Sequence, residues 1–187
     1  RMPRPDVIFA ITGGAKDLAL AEGQEHALRL AMETAAELEG AALVTAGTNV
    51  GLSSMFGQWR ETRDEEGSPL IGIAPKHKVH AHDQVLEYRD LAPEKANKVL
   101  GPAGEMSVLY ATSKRPNSLE PNHSHHILVE DDTDYGWNET WGNEIEFRTA
   151  LCESLRKRFF TPAVLLVVHG GVGTLRTVLA AMKKNFS

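Results

Sequence analysis

Three apolar runs in this chain end in turns bearing glycine or threonine, and each turn opens an apparent helix. The first is Val7-Ile8-Phe9-Ala10-Ile11, leading into Thr12, Gly13, Gly14, Ala15 and Lys16. The second is Ala41-Ala42-Leu43-Val44-Thr45, leading into Ala46, Gly47, Thr48, Asn49, Val50 and Gly51. The third is Val164-Leu165-Leu166-Val167-Val168, leading into His169, Gly170, Gly171, Val172, Gly173 and Thr174. A strand that feeds a glycine turn and a helix N-terminus presents backbone N–H groups to an anion with no Cβ in the way. Three such units on one parallel sheet converge on the crevice beyond the strand C-terminal ends. The repeated β-α order implies an α/β fold, a mostly parallel sheet with helices on both faces.

At 187 residues the chain suits a single domain over 1–187 with a real core. Its net charge of −5 argues against a nucleic-acid footprint. Cys152 is the only cysteine, which removes disulfide frameworks and thiolate zinc sites. Its setting reads as a small apolar residue on a helix. No signal peptide is recognisable, and the longest apolar run is far short of a membrane span, so direct membrane insertion by this segment is not expected.

Apolar spacing predicts a helix over 22–39, with Ala27, Leu28, Leu30, Ala31, Ala35 and Leu38 inward and Gly40 closing it. A second helix is expected over 49–63, then a strand over 70–74 stopped by Pro75. Residues 76–121 are the least periodic stretch and read as a long irregular excursion holding one short strand over 106–110. A core strand over 126–129 ends in the acidic turn Glu130-Asp131-Asp132. A helix over 143–159 turns Ile145, Leu151, Cys152, Leu155 and Phe159 inward. The final strand is followed by a helix ending at Lys184. A doubly wound sheet would add another strand there, so the chain reads as an excerpt of something longer.

Several residues carry candidate chemistry. The glycines of Thr12-Gly13-Gly14 let a diphosphate or ribose approach the backbone, while a tight turn alone would also favour them. Gly170, Gly171, Gly173 and Thr174 sit at a helix start, where amides and a hydroxyl face a phosphate. Arg148 can offer a bidentate fork to phosphate or pair with Glu144 one turn earlier. Trp141 can stack on a base or ribose, or cover the core edge. His77, His80, His82, His123, His125 and His126 match no standard zinc spacing, and no metal ligand is assigned. The acidic residues around 130–134 fit a solvated turn better than a hard-cation site. Neither Gly-x-x-x-x-Gly-Lys-Ser/Thr nor Gly-x-Gly-x-x-Gly occurs, which disfavours a P-loop triphosphatase or a nicotinamide dehydrogenase.

These blocks together resemble the N-terminal homology region of melastatin-type transient receptor potential (TRPM) channels, a SLOG-type Rossmann-like domain. The blocks that carry the resemblance are Val7-Ile8-Phe9-Ala10-Ile11-Thr12-Gly13-Gly14-Ala15-Lys16-Asp17, Ala42-Leu43-Val44-Thr45-Ala46-Gly47-Thr48-Asn49-Val50-Gly51 and Ile71-Gly72-Ile73-Ala74-Pro75. They continue with Asn122-His123-Ser124-His125-His126-Ile127-Leu128-Val129, Gly142-Asn143-Glu144-Ile145-Glu146-Phe147-Arg148 and Gly170-Gly171-Val172-Gly173-Thr174-Leu175. The sequence is most like the ADP-ribose-gated branch. Ala46 stands where a glycine is usual, and Lys76-His77 where Trp-Gly often follows Ala-Pro.

The resemblance implies a Rossmann-like ligand-sensing domain on the cytoplasmic side of a membrane channel. Thr12, Gly13, Gly14, Ala15 and Lys16 would line the ADP-ribose diphosphate with Gly170, Gly171, Gly173 and Thr174. Gly47, Thr48 and Asn49 would contribute the middle turn. Arg148 matches the family's phosphate-contacting arginine, and Trp141 falls at a stacking tyrosine. ADP-ribose would be a regulatory ligand rather than a cofactor, with calcium bound, if at all, elsewhere in the full protein. The rest of the channel and other subunits, as a homotetramer around a calcium-permeable pore, are the partners implied. A rival reading comes from cytokinin-activating phosphoribohydrolases, whose Pro-Gly-Gly-x-Gly-Thr-x-x-Glu motif supplies a carboxylate. Here His169 replaces the Pro, and Arg176 and Thr177 occupy the region of the Glu, so no catalytic residue is assigned. A channel assembly module without a ligand is the third reading.

Overall fold

The structure, a computed structural model, describes residues 4–14, 20–37, 40–61, 68–79, 118–129 and 142–186. Its elements in chain order are β1 (Val7–Gly13), α1 (Glu22–Glu37), β2 (Ala41–Thr45), α2 (Gly51–Glu61) and β3 (Leu70–Pro75). A short 3-10 turn (Lys76–Lys78) follows, then β4 (His125–Val129), α3 (Asn143–Phe159), β5 (Ala163–Val168) and α4 (Val172–Lys183). The five strands form one parallel sheet in the order β4-β3-β2-β1-β5.

That order follows from the apolar runs. β2 and β3 are buried along their whole length, as strands covered on both faces must be, which is why they read as uninterrupted hydrophobic stretches. β1 sends alternate side chains to opposite faces. Ile8 and Ala10 join Val44, Ile71 and Ile73 beneath Cys152 of α3. Ile11 joins Leu43 and Leu70 beneath Leu52 and Phe56 of α2. The molecule is therefore three layers: α1 and α2 on one face, the sheet, and α3 and α4 on the other.

The chain steps outward from β1 through β2 and β3 to β4, then returns to the far side of β1 as β5. The reversal of strand order falls between β1 and β5. In open α/β sheets the crevice at such a reversal is where ligands bind.

Three sequence expectations are adjusted. Thr12 and Gly13 complete β1 rather than forming the turn beyond it. α2 opens at Gly51, two residues after the expected start. In α1, Leu28 packs on the core while Leu30 is exposed; two residues apart on a helix lie about 200° apart, so both cannot face inward. The strand expected over 106–110, the acidic turn over 130–134 and most of the irregular excursion lie outside the described residues.

Candidate functional site

At the switch point, Thr12 lies opposite Val167 and Gly13 opposite Val168. The first and third glycine turns therefore leave the sheet side by side. A hydrogen bond joins them: the Thr174 hydroxyl in the first turn of α4 donates to the Gly13 carbonyl at 3.1 Å.

The glycines here divide by what requires them. A Cβ on Gly13 would collide with the Val168 carbonyl and Leu52, so packing alone dictates that residue. Gly170 has φ +132°, and a Cβ there would overlap the Thr174 side chain. Gly171 and Gly173 are different, since a Cβ on either meets nothing within 4 Å. Gly173 lies in the first turn of α4, where glycine is disfavoured against alanine by at most about 1 kcal/mol, the helix-interior figure. No neighbour among the described residues compensates that cost.

The same helix start is electrostatically open. α4 has no side-chain cap and no acidic residue in its first turn, so its leading N–H groups and the positive end of its dipole are available to an anion. α3 begins nearby but differs. Its N-cap Gly142, at φ 105°, donates its N–H to the Glu144 carboxylate at 2.9 Å, and Glu146 adds a second negative charge. Of these two helix starts, that of α4 is the one whose first turn carries no carboxylate.

Arg148 reaches this corner from below. It is 5% exposed, and its Nη2 donates to Thr177 Oγ1 at 3.2 Å. Thr177 Oγ1 in turn donates to the Gly173 carbonyl at 3.1 Å. One side chain thus separates the guanidinium from the glycine turn. Burial lowers its pKa, while the neighbouring Glu144 carboxylate favours the charge. The cavity beside it, bordered by Ala10, Cys152 and Ala181, is about 10 Å³, room for one water at most. Cys152 is buried as expected, its thiol pushed up to about 11 by desolvation.

The middle turn is organised otherwise. Gly47 has φ +71° and lies against the Gly72 backbone. Its N–H donates to Thr45 Oγ1 at 3.0 Å, and its carbonyl accepts from Glu120 N at 2.9 Å. Asn49 N–H donates to the Ser118 carbonyl at 2.7 Å, and Thr48 forms a bridge with Leu119. Segment 118–120 therefore covers Gly47, Thr48 and Asn49, taking up the carbonyl of Gly47 and the amide of Asn49. The structure brings Thr12, Gly13, Gly14, Gly170, Gly171, Gly173, Thr174 and, through Thr177, Arg148 to one corner. Ala15, Lys16 and Trp141 lie outside the described residues.

Beneath that cover lies a set of contacts the sequence did not announce. Thr45 Oγ1 is 2.7 Å from His123 Nε2, and His123 Nδ1 is 2.6 Å from Glu120 Oε2. Burial and the Arg60 charge push the His123 pKa down to about 3. The neutral ring thus donates from Nδ1 to the carboxylate and accepts the Thr45 hydroxyl. Hydroxyl, imidazole and carboxylate stand in the order of a nucleophilic triad. All three are buried, so no substrate reaches the hydroxyl, and the set fastens the covering segment to β2. His126 stacks on His123 and bonds the Glu120 carbonyl at 3.0 Å. His123 and His126, weighed in the sequence as metal ligands, are thereby used in packing. A glutamate three residues before a histidine, Glu120 and His123, was the available signal.

Two rim residues were also missed as contacts. His169 is exposed and holds φ 56°, the left-handed region that non-glycine residues rarely adopt. Arg176, exposed on α4, lies beside Gly142, whose Cβ would stand 3.4 Å from its guanidinium.

A protein-family model described as "SLOG in TRPM" matches residues 1–186. The chain is 31% identical over 199 residues to transient receptor potential cation channel subfamily M member-like 2 of Nematostella vectensis, covering 96% of this chain and 12% of that protein. It is 28% identical over 194 residues to subfamily M member 2 of Rattus norvegicus, covering 95% and 12%. Identity to the trpm channel of Drosophila melanogaster is 27% over 185 residues, covering 94% and 8%. The chain thus spans about an eighth or less of these relatives.

Proposed function

This chain belongs to the family of SLOG domains found in TRPM channels, and from that premise we propose that it is a ligand-sensing module of a cation channel. Its ligand in this reading is ADP-ribose or a closely related nucleoside diphosphate sugar. The diphosphate sits on the open N-terminus of α4 beside Gly13 and Gly14, with Arg176 and His169 on the flanks. Arg148 supports the turn from beneath. The channel of which it forms part is a calcium-permeable homotetramer, with this domain on the cytoplasmic side. Ligand binding biases the domain between arrangements by its differential affinity for them.

One observation carries the reading. Gly171 and Gly173 leave open space in front of an uncapped helix start at the sheet's switch point, an arrangement that costs helix stability and serves an approaching anion. Turnover is the weaker alternative, because Thr177 occupies the region where the related hydrolases need a carboxylate and is engaged by Arg148.

Titration calorimetry with ADP-ribose tests this. The wild-type chain should release saturable heat. Gly171→Asp should release none, because its carboxylate caps the same amides and repels the diphosphate. Absence of heat in the folded wild type would leave an assembly module. Release of ribose phosphate would identify a hydrolase.

A further inference from the structure

The last helix of the fold is built inside out. α4 turns Thr174, Thr177 and Ala181 to the interior, where Thr174 bonds the Gly13 carbonyl and Thr177 meets Arg148. Its large apolar residues face the other way: Val172, Leu175, Leu179 and Met182 are each between 55% and 68% exposed. A helix whose apolar residues served its own core would show the reverse order. Of the eight large apolar side chains exposed among the described residues, four stand on this one helix. Scattered exposed apolar residues are normal, but a contiguous set marks a contact surface.

The spacing gives the shape of what covers it. Residues 172, 175, 179 and 182 are three, four and three apart, the a and d repeat of a helix–helix seam. At 100° per residue they span about 80°, narrower than the face of about 100° or more that a helix lays on a core. The stripe holds none of the aromatic residues that anchor helices at a lipid interface. The matching surface is one helix presenting an apolar seam of its own.

The margin of the stripe is basic. Arg176 and Lys183 each follow a stripe residue by one, are exposed, and stand seven residues apart, so they line the same side of the seam. Neither meets a carboxylate among the described residues. No Asp or Glu occurs from Ser154 to Ser187, in a chain of net charge −5. A second α4 laid antiparallel would set Arg176 and Lys183 against their own copies, and like charges so placed oppose pairing. The complement is a helix with carboxylates beside its seam.

We propose that the outer face of α4 docks an acidic amphipathic helix, supplied by the part of the channel polypeptide outside these 187 residues. The class of helix rests on α4 alone. Its source rests on the channel reading, since the chain matches only 12% of the Nematostella relative. Docking there grips the helix whose first turn carries Gly171 and Gly173, and so connects the glycine rim to the rest of the channel.

The test titrates a three-heptad peptide, with leucine at a and d and glutamate at e and g, into the 187-residue chain, followed by amide chemical shifts. Its lysine counterpart and vesicles of phosphatidylcholine with phosphatidylserine are the comparisons. The glutamate peptide should saturate with shifts along 172–183, and the other two should not bind. Leu179→Gln replaces an exposed side chain, so melting should be unchanged while affinity falls about tenfold or more. Lys183→Glu should weaken the glutamate peptide and let the lysine peptide bind. Leu179 lies two turns from Gly171, so Leu179→Gln should leave ADP-ribose heat unchanged; heat absent throughout, with the peptide still bound, would sink the ligand reading alone. In the full-length channel a photoreactive side chain in place of Leu179 should crosslink to an acidic segment of the same polypeptide. Equal binding of the two peptides, saturable binding of the vesicles, self-association that Leu179→Gln abolishes, or no saturation by the glutamate peptide would each overturn the proposal. Crosslinks confined to lipid, to another copy of residues 1–187 or to other proteins would overturn its source.

Discussion

The Thr174 hydroxyl donates to the Gly13 carbonyl at 3.1 Å, and this bond ties the start of α4 to the end of β1. The helix N-terminus and the first glycine turn are thereby one unit rather than two neighbouring loops. A diphosphate meeting both would find them already oriented, which lowers the ordering cost of binding.

Thr174→Val tests that coupling. The variant keeps the branched shape but leaves the Gly13 carbonyl without this donor, at a cost of about 1 kcal/mol. Urea denaturation should show that loss, and ADP-ribose affinity should fall several-fold. Thr174→Ser should retain the bond and behave like the wild type. Equal affinity in Val and Ser variants would mean that the two turns act independently.

Arg148 calls for a different comparison. It is 5% exposed beneath α4 and bonded to Thr177, so Arg148→Ala opens a cavity and removes a donor at once. The expected destabilisation is about 2–4 kcal/mol by urea denaturation, and lost ligand heat in that variant would reflect the fold as much as the site. Arg148→Met fills the space without the charge. It should fold more stably than the alanine variant while binding ADP-ribose more weakly than the wild type. Full affinity in folded Arg148→Met would reduce the arginine to a packing element.

The buried histidines predict acid sensitivity. Desolvation pushes His123 and His126 down to about 3, against about 6.5 in the unfolded chain. The unfolded state therefore takes up protons below pH 6.5 that the native state refuses. This contribution to stability is fully present above pH 6.5 and is lost as pH falls towards 3. Denaturation between pH 8 and 4 should show stability declining from about pH 6.5, with a slope approaching two protons. His126→Gln, which keeps a donor for the Glu120 carbonyl, should reduce that slope by one. A flat profile from pH 7 to 5 would contradict the neutral assignment.

The parallel sheet was legible because strands buried on both faces must be written as unbroken apolar runs, as Ala41–Thr45 and Leu70–Pro75 are. Glycine has no packing role at Gly171 and Gly173, whereas at Gly13, Gly47 and Gly170 the same letter records a close neighbour or a positive φ. Sequence carries no mark distinguishing a glycine kept clear for a ligand from one pressed by a carbonyl. The covering of Gly47, Thr48 and Asn49 by 118–120 joins positions some seventy residues apart, and no local pattern encodes that meeting. Arg148 was visible as a cation near a helix start, but its burial depends on α4 lying across it.

Gly173→Ala separates the cost of the open turn from its use. A methyl at this position meets nothing within 4 Å, and alanine favours the helix over glycine by at most about 1 kcal/mol in this first turn. The variant should therefore be more stable than the wild type in urea or thermal denaturation. If the diphosphate of the proposed ligand lies over the first turn of α4, the added methyl crowds it, so ADP-ribose affinity should fall by about tenfold or more, the factor that corresponds to losing one charge-assisted hydrogen bond. A gain in stability with unchanged affinity would place the ligand elsewhere on the domain. A loss of stability would show that this glycine has a packing role after all, and the assignment of α4 as the anion site would lose its principal support.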